Sequence, residues 1–375
     1  MATPVNNSAS PLNEKTRWFP LFQELMDYVD QHPDINIQED MVSIPRAKQP
    51  DFYELFDAVR DAYIAEKFSG ILGEADILSK SYVKVEQEFI KGLGIENIYM
   101  PNELKRFLHE PLDQLRREIF DPLFDLICGK ADREKFISDT SLILNQAFRQ
   151  LCKDGYKKWV TLSLLKQFGP EQLYCVPLKR LGSKQVIKHS VMAKESLPAP
   201  VKTNDLYFEV GHRQSLVVPD AIIYSGRLNK YVSFRTNFTS ALWKNSNNYS
   251  PRREWYTIQS LVEKYGTITI RPDLLIYIGD RLEDVSLVAD NESICRPDLI
   301  IGCVYDLNSN GDQLMDKIIE IKSTSQVLNP TNGSYIISRQ KISGCASENT
   351  ETGVNFLEAD LEEEKLDVIV GTIKM

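Results

Sequence analysis

Two textures of hydrophobic patterning divide the chain. From about residue 14 to 168, apolar residues recur at three- and four-residue spacing, the mark of amphipathic helices. Segments 18–31, 51–68, 81–93 and 103–127 fit this period, and a longer run extends from about Asp132 to Phe168. Pro111 and Pro122 should interrupt the fourth segment, because proline lacks an N–H and clashes with the preceding turn. Gly169-Pro170 should end the last. Beyond Pro170 the runs shorten and become β-type: 173–180, 205–210, 215–226 and 230–238, separated by turn-rich polar stretches. Residues 251–265, PRREWYTIQSLVEKY, return to helical period, with Trp255, Ile258, Leu261 and Val262 on one face. A strand is expected over 267–279, and another begins at Pro297-Asp298. The run IIEIKST (318–324) is expected to return as a third strand. There Glu320 and Lys322 would share one face, while Ile319 and Ile321 point to the other. A short helix around 335–343 and an apolar strand over 366–373 complete the pattern.

This reading gives four segments: a disordered leader (1–13), a helical domain (14–168), a basic β-rich region (169–250) and a compact α/β core (251–375). A length of 375 residues accommodates them as two or three domains. No apolar run approaches the roughly 20 residues that span a bilayer. The polar start MATPVNNSASPLNE lacks the order of a secretion signal, so a cytoplasmic protein is expected. Six cysteines without a CxxC pair and four scattered histidines point away from structural zinc, iron–sulfur clusters and a disulfide framework.

Charge changes the picture in one respect. The net charge is −9, yet residues 151–265 carry 18 basic and 8 acidic side chains, a net of +10. Residues 1–150 carry 17 basic and 26 acidic (−9), and residues 266–375 carry 9 and 19 (−10). A basic middle in an acidic chain is the footprint expected for a polyanion partner. Within it Arg227, Lys230, Arg235, Lys244, Arg252 and Arg253 alternate with aromatics such as Tyr224, Tyr231, Phe234 and Trp243. Such a mixture suits contact with DNA phosphates and bases.

Helix, three strands, helix, strand, with Pro297-Asp298 on the second strand and Glu320-Ile321-Lys322 on the third, resembles the PD-(D/E)xK nuclease superfamily over residues 251–375. The resemblance implies an α+β chain whose helical N-terminal half precedes a restriction-endonuclease-like αβββαβ core with a mixed sheet. It further implies Asp298, Glu320 and Lys322 as catalytic residues, with Glu254 as the acid of the first helix and Glu263 as its alternative. Asp298, Glu320, the Ile321 carbonyl and Glu254 would hold Mg²⁺, with Mn²⁺ as a substitute, to polarise the phosphate and activate water. Lys322 would orient or deprotonate that water. RPDLLIY (271–277) and VVPDAIIYS (217–225) echo RPDLIIG (296–302), so Asp273 and Asp220 are alternatives for the first aspartate. The expected activity is a DNA endonuclease of type II restriction kind, working as a homodimer on duplex DNA. A repair, recombination or other defence nuclease acting with partner proteins is the second reading. A nuclease-like binding or scaffold protein that no longer cuts is the third.

Overall fold

The structure is a computed structural model. It describes residues 17–38, 41–176, 199–208, 216–217, 219–236, 255–257, 263–264, 272–286, 289–290, 293–305, 312–340 and 353–373. The fold combines α-helices with a mixed multi-stranded sheet. The chain divides into two units, one comprising 1–80 and 106–152, the other 81–105 and 153–375. No helix of the described residues is long and apolar enough to cross a membrane.

The helices before the sheet are α1 (Trp18–Asp30), α2 (Gln49–Lys67), α3 (Ser69–Leu93), α4 (Asn102–His109), α5 (Pro111–Glu118), α6 (Phe120–Ile127) and α7 (Arg133–Gln167). Pro111 opens α5 and Pro122 falls in the first turn of α6. There the missing N–H costs nothing, because the first turn has no intrahelical acceptor for it. In the first unit, Trp18, Phe52, Phe56, Tyr63 and Phe136 form a buried aromatic cluster. Arg60 lies over the Phe56 ring and donates to the Arg116 carbonyl (2.8 Å), which satisfies part of a buried guanidinium.

The second unit is organised by an eight-stranded sheet. Its strands are β1 (Pro170–Cys175), β2 (Val201–Lys202), β3 (Ala221–Ser225), β4 (Lys230–Thr236), β5 (Leu274–Gly279), β6 (Leu299–Val304), β7 (Ser334–Ser338) and β8 (Val354–Glu358). They lie in the order β8-β7-β6-β5-β4-β3-β1-β2. β3 through β6 form an antiparallel meander, whereas β6–β7 and β7–β8 are parallel. The parallel β6–β7 step needs a crossover, supplied by α8 (Asp312–Leu328). β6, LIIGCV, is buried at every position, as a strand covered on both faces must be. Gly302 is what lets α8 settle on it. A Cβ there would lie 2.7 Å from Ile321 Cγ1 and 3.1 Å from Lys317 Cε. The opposite face meets the end of α7, where Phe168 packs edge-on against Phe234.

Four expectations are corrected here. IIEIKST is not a strand; it lies inside α8. A strand would place Ile319 and Ile321 on one face, but Ile321 is fully buried while Ile319 is 59 % exposed. Buried Ile318, Ile321, Thr324, Val327 and Leu328 follow a three-to-four residue period instead. Of the helix expected at 251–265, Trp255–Thr257 form instead a short strand paired antiparallel with Ser293–Cys295, while residues 263–264 are helical. Residues 335–338 belong to β7 rather than to a helix. The apolar run near 366–373 is a 3-10 turn (Glu363–Leu366) leading into a helix (Asp367–Gly371), not a strand.

Candidate functional site

The three Pro-Asp echoes share one local structure. Asp273 precedes β5, Asp298 precedes β6, and Asp220 precedes β3. In each case the aspartate N–H donates to a carbonyl of the neighbouring strand, and the carboxylate accepts the N–H two residues further on. Asp273 donates to Ile301 O (3.1 Å) and accepts from Cys303 N (2.7 Å). Asp298 donates to Ile276 O (2.9 Å) and accepts from Ile278 N (2.7 Å). Asp220 donates to Phe234 O (2.9 Å) and accepts from Thr236 N (2.6 Å) and Thr236 Oγ1 (3.1 Å). The carboxylate thus stands in for the next backbone carbonyl of the antiparallel ladder, satisfying an amide that would otherwise lack an acceptor. Proline ahead of it has no N–H to leave unpaired.

Asp273 and Asp298 therefore cap opposite ends of the β5–β6 ladder. With Leu274 opposite Ile301 and Ile276 opposite Leu299, they are separated by about four strand residues, roughly 14 Å. Charged helix residues of the described chain gather at the Asp273 end. Lys317 of α8 places Nζ 2.8 Å from Asp273 Oδ2, and Lys157 of α7 places Nζ 2.9 Å from Asp273 Oδ1. Glu320 lies 3.4 Å from Lys317, and Asp154 lies 3.6 Å from Lys157. Asp273 is 6 % exposed. Burial opposes its ionisation, but the two ammonium groups outweigh burial and hold its carboxyl below the ordinary range. Burial likewise works against charge on Lys157, and Asp273 reverses it, raising the ammonium above the usual lysine range. Cys303, opposite this carboxylate, is pushed up by burial and then by Asp273, so its thiol is neutral and unsuited to nucleophilic work.

The expected constellation is redistributed by this geometry. Glu320 joins Asp273, not Asp298. Lys322 follows Glu320 by two residues on a helix, about 200° around its axis, so the two do not share a face. The Ile321 carbonyl lies within the helical hydrogen-bond ladder, and its side chain packs on Gly302. Glu254 lies outside the described residues, as do Lys244, Arg252 and Arg253; Glu263 is exposed in a helical segment. Of the remaining basic candidates, Arg227 pairs with Asp367 and donates to Gln167 O (3.1 Å), and Lys230 pairs with Asp280 (3.5 Å). Arg235 is 2 % exposed, inside the sheet rather than on a surface that duplex DNA could reach. Sequence reading missed Lys157 and Lys317. The signal for Lys317 was the helical period of 318–328; no local pattern announces Lys157, which meets Asp273 only through the fold.

Among the described residues, no group of three or more His, Cys, Asp or Glu side chains is placed to hold a metal ion. Mg²⁺ does not fit Asp273 as arranged, because each of its oxygens already carries a lysine ammonium. No known protein family, curated protein or solved structure matches the chain.

Proposed function

We propose that this chain is a nucleic-acid-binding protein built on a nuclease-like core that does not cleave its ligand. The observation that carries this reading is the lysine-flanked Asp273: a carboxylate neutralised from both faces of the sheet. Support for the nuclease-like part comes from element order. A long helix (α7) comes first and, after β1 to β3, three antiparallel neighbours (β4, β5, β6), a crossover helix (α8) and a parallel fourth strand (β7) come in that chain order, with Pro272-Asp273 at the head of the middle strand. Support for the non-cleaving part comes from β6, whose Ile301, Gly302 and Cys303 lie opposite and beside Asp273 and bring neither a carboxylate nor a lysine. The net +10 of residues 151–265 supports a polyanion as ligand.

One observation favours a second reading, a metal-dependent endonuclease centred on Asp273, Glu320 and Lys317 and working as a homodimer. Glu320 shares Lys317 with Asp273, so the residue types that such chemistry uses are gathered at one strand end. The experiment that separates the two is incubation of the full chain with duplex, single-stranded and branched DNA, with Mg²⁺ or Mn²⁺. The proposal expects retarded complexes whose affinity falls steeply with salt, and intact DNA. Metal-dependent products that disappear in Asp273→Ala would establish the second reading, and absence of both complex and products would sink both.

A further inference from the structure

Arg235 is a buried ionisable side chain of the second unit that the proposed site does not use. It lies on β4 opposite Leu275, in the centre of the sheet, and is 2 % exposed. An arginine stays charged at any pH a protein survives. A buried guanidinium is costly unless a counter-charge and hydrogen bonds offset its lost hydration. Among the described residues, Nε and Nη2 have no hydrogen-bond partner and Arg235 forms no ion pair. The Tyr277 ring lies 5.5 Å from the guanidinium carbon, where it attracts a cation but does not neutralise it.

The identity of the two unpaired nitrogens is informative. Nε–H and Nη2–H lie on the same edge of the guanidinium and point in parallel, the fork that grips two oxygens of a carboxylate or phosphate side-on. Ser233 stands two residues earlier on the same strand, hence on the same face, and pairs in register with Tyr277. Its Oγ is fully buried and also has no partner among the described residues. A bidentate cationic fork, an unused hydroxyl and an aromatic wall thus share one patch of sheet.

We propose that Arg235 is the anchor of an oxyanion-binding site, with Nε and Nη2 gripping two oxygens of a phosphate or carboxylate group and Ser233 Oγ donating to the same group. Exposure of only 2 % restricts the occupant to a small anion or the tip of a larger ligand. This site is independent of the Asp273 cluster and of the nucleic-acid reading.

The test uses the full chain at constant ionic strength in chloride, titrated separately with inorganic phosphate and with malonate, read by calorimetry and by melting temperature. A specific site raises the Tm by about 5 °C or more at a hundredfold excess of anion over its Kd. Arg235→Met should be at least as stable as wild type in chloride and show no anion-dependent rise, which separates site binding from a general salt effect. Ser233→Ala should weaken binding about five- to tenfold. A response to phosphate alone assigns a phosphate ligand, and a response to malonate a carboxylate; either supports the site. Wild type responding no more than Arg235→Met overturns it. Should Arg235→Met not fold, Arg235→Lys keeps the charge without the fork, and wild-type affinity in that variant would overturn the proposal equally.

Discussion

Replacing Asp273 with Asn keeps the shape and the oxygen that accepts the Cys303 amide while removing the charge that compensates two lysines. Lys157 and Lys317 are only 15 % and 14 % exposed in their side chains, so both ammonium groups would be left largely desolvated. Deleting one partner of a buried ion pair costs about 3–5 kcal/mol. Asp154 at 3.6 Å and Glu320 at 3.4 Å offer partial substitutes, which places the expected loss near the lower end, about 3 kcal/mol. In a domain of 150–250 residues this lowers the Tm by about 6–12 °C. The pH dependence has a defined sign. Because the carboxyl of Asp273 is depressed in the folded protein, its contribution is fully present above the unfolded value, about 3.9, and fades as pH falls through the folded one. Lys157, raised in the folded protein, contributes fully below about 10.4 and loses that contribution as pH climbs through its folded value. The stability gap between wild type and Asp273→Asn should therefore be flat from about pH 5 to 9 and narrow on either side. Urea unfolding followed by circular dichroism across that range measures it. A gap under about 1 kcal/mol at pH 7, or one unchanged between pH 7 and 3, would refute the buried-pair argument.

The helical assignment of 318–324 can be tested by mutation. Ile321→Ala should cost about 2–5 kcal/mol, while Ile319→Ala, at 59 % exposure, should stay within about 0.5 kcal/mol; equal losses in chemical denaturation would restore the strand. Gly302→Ala should cost about 1–3 kcal/mol, because its Cβ would meet Ile321 at 2.7 Å and force α8 away from β6. A crystal structure of that variant, should it fold, would show α8 displaced, and an unmoved helix would contradict the packing.

Much of the architecture was legible because it rests on local rules. Pro111 and Pro122 broke a helical run where proline must, and β1, β3 and β4 overlap the β-type runs read after Pro170. IIEIKST misled for a physical reason: seven residues rich in isoleucine satisfy alternation as well as helical period, and only the wider window to Leu328 discriminates. The three Pro-Asp echoes were visible as repetition, but their shared role as ladder caps depends on which strand lies beside each. That Asp273, of the three aspartates, meets two lysines was beyond the sequence altogether. It turns on Lys157, which lies in a helix more than a hundred residues earlier and reaches Asp273 only in the folded chain.

The central claim, that lysines hold the position a metal would need, is tested most directly by titrating the full chain with Mn²⁺ and following bound ion by electron paramagnetic resonance. Wild type should show no saturable binding attributable to Asp273, with a binding curve superimposable on that of Asp273→Asn. Stoichiometric Mn²⁺ binding by wild type that Asp273→Asn abolishes would contradict the account and favour the metal-dependent reading.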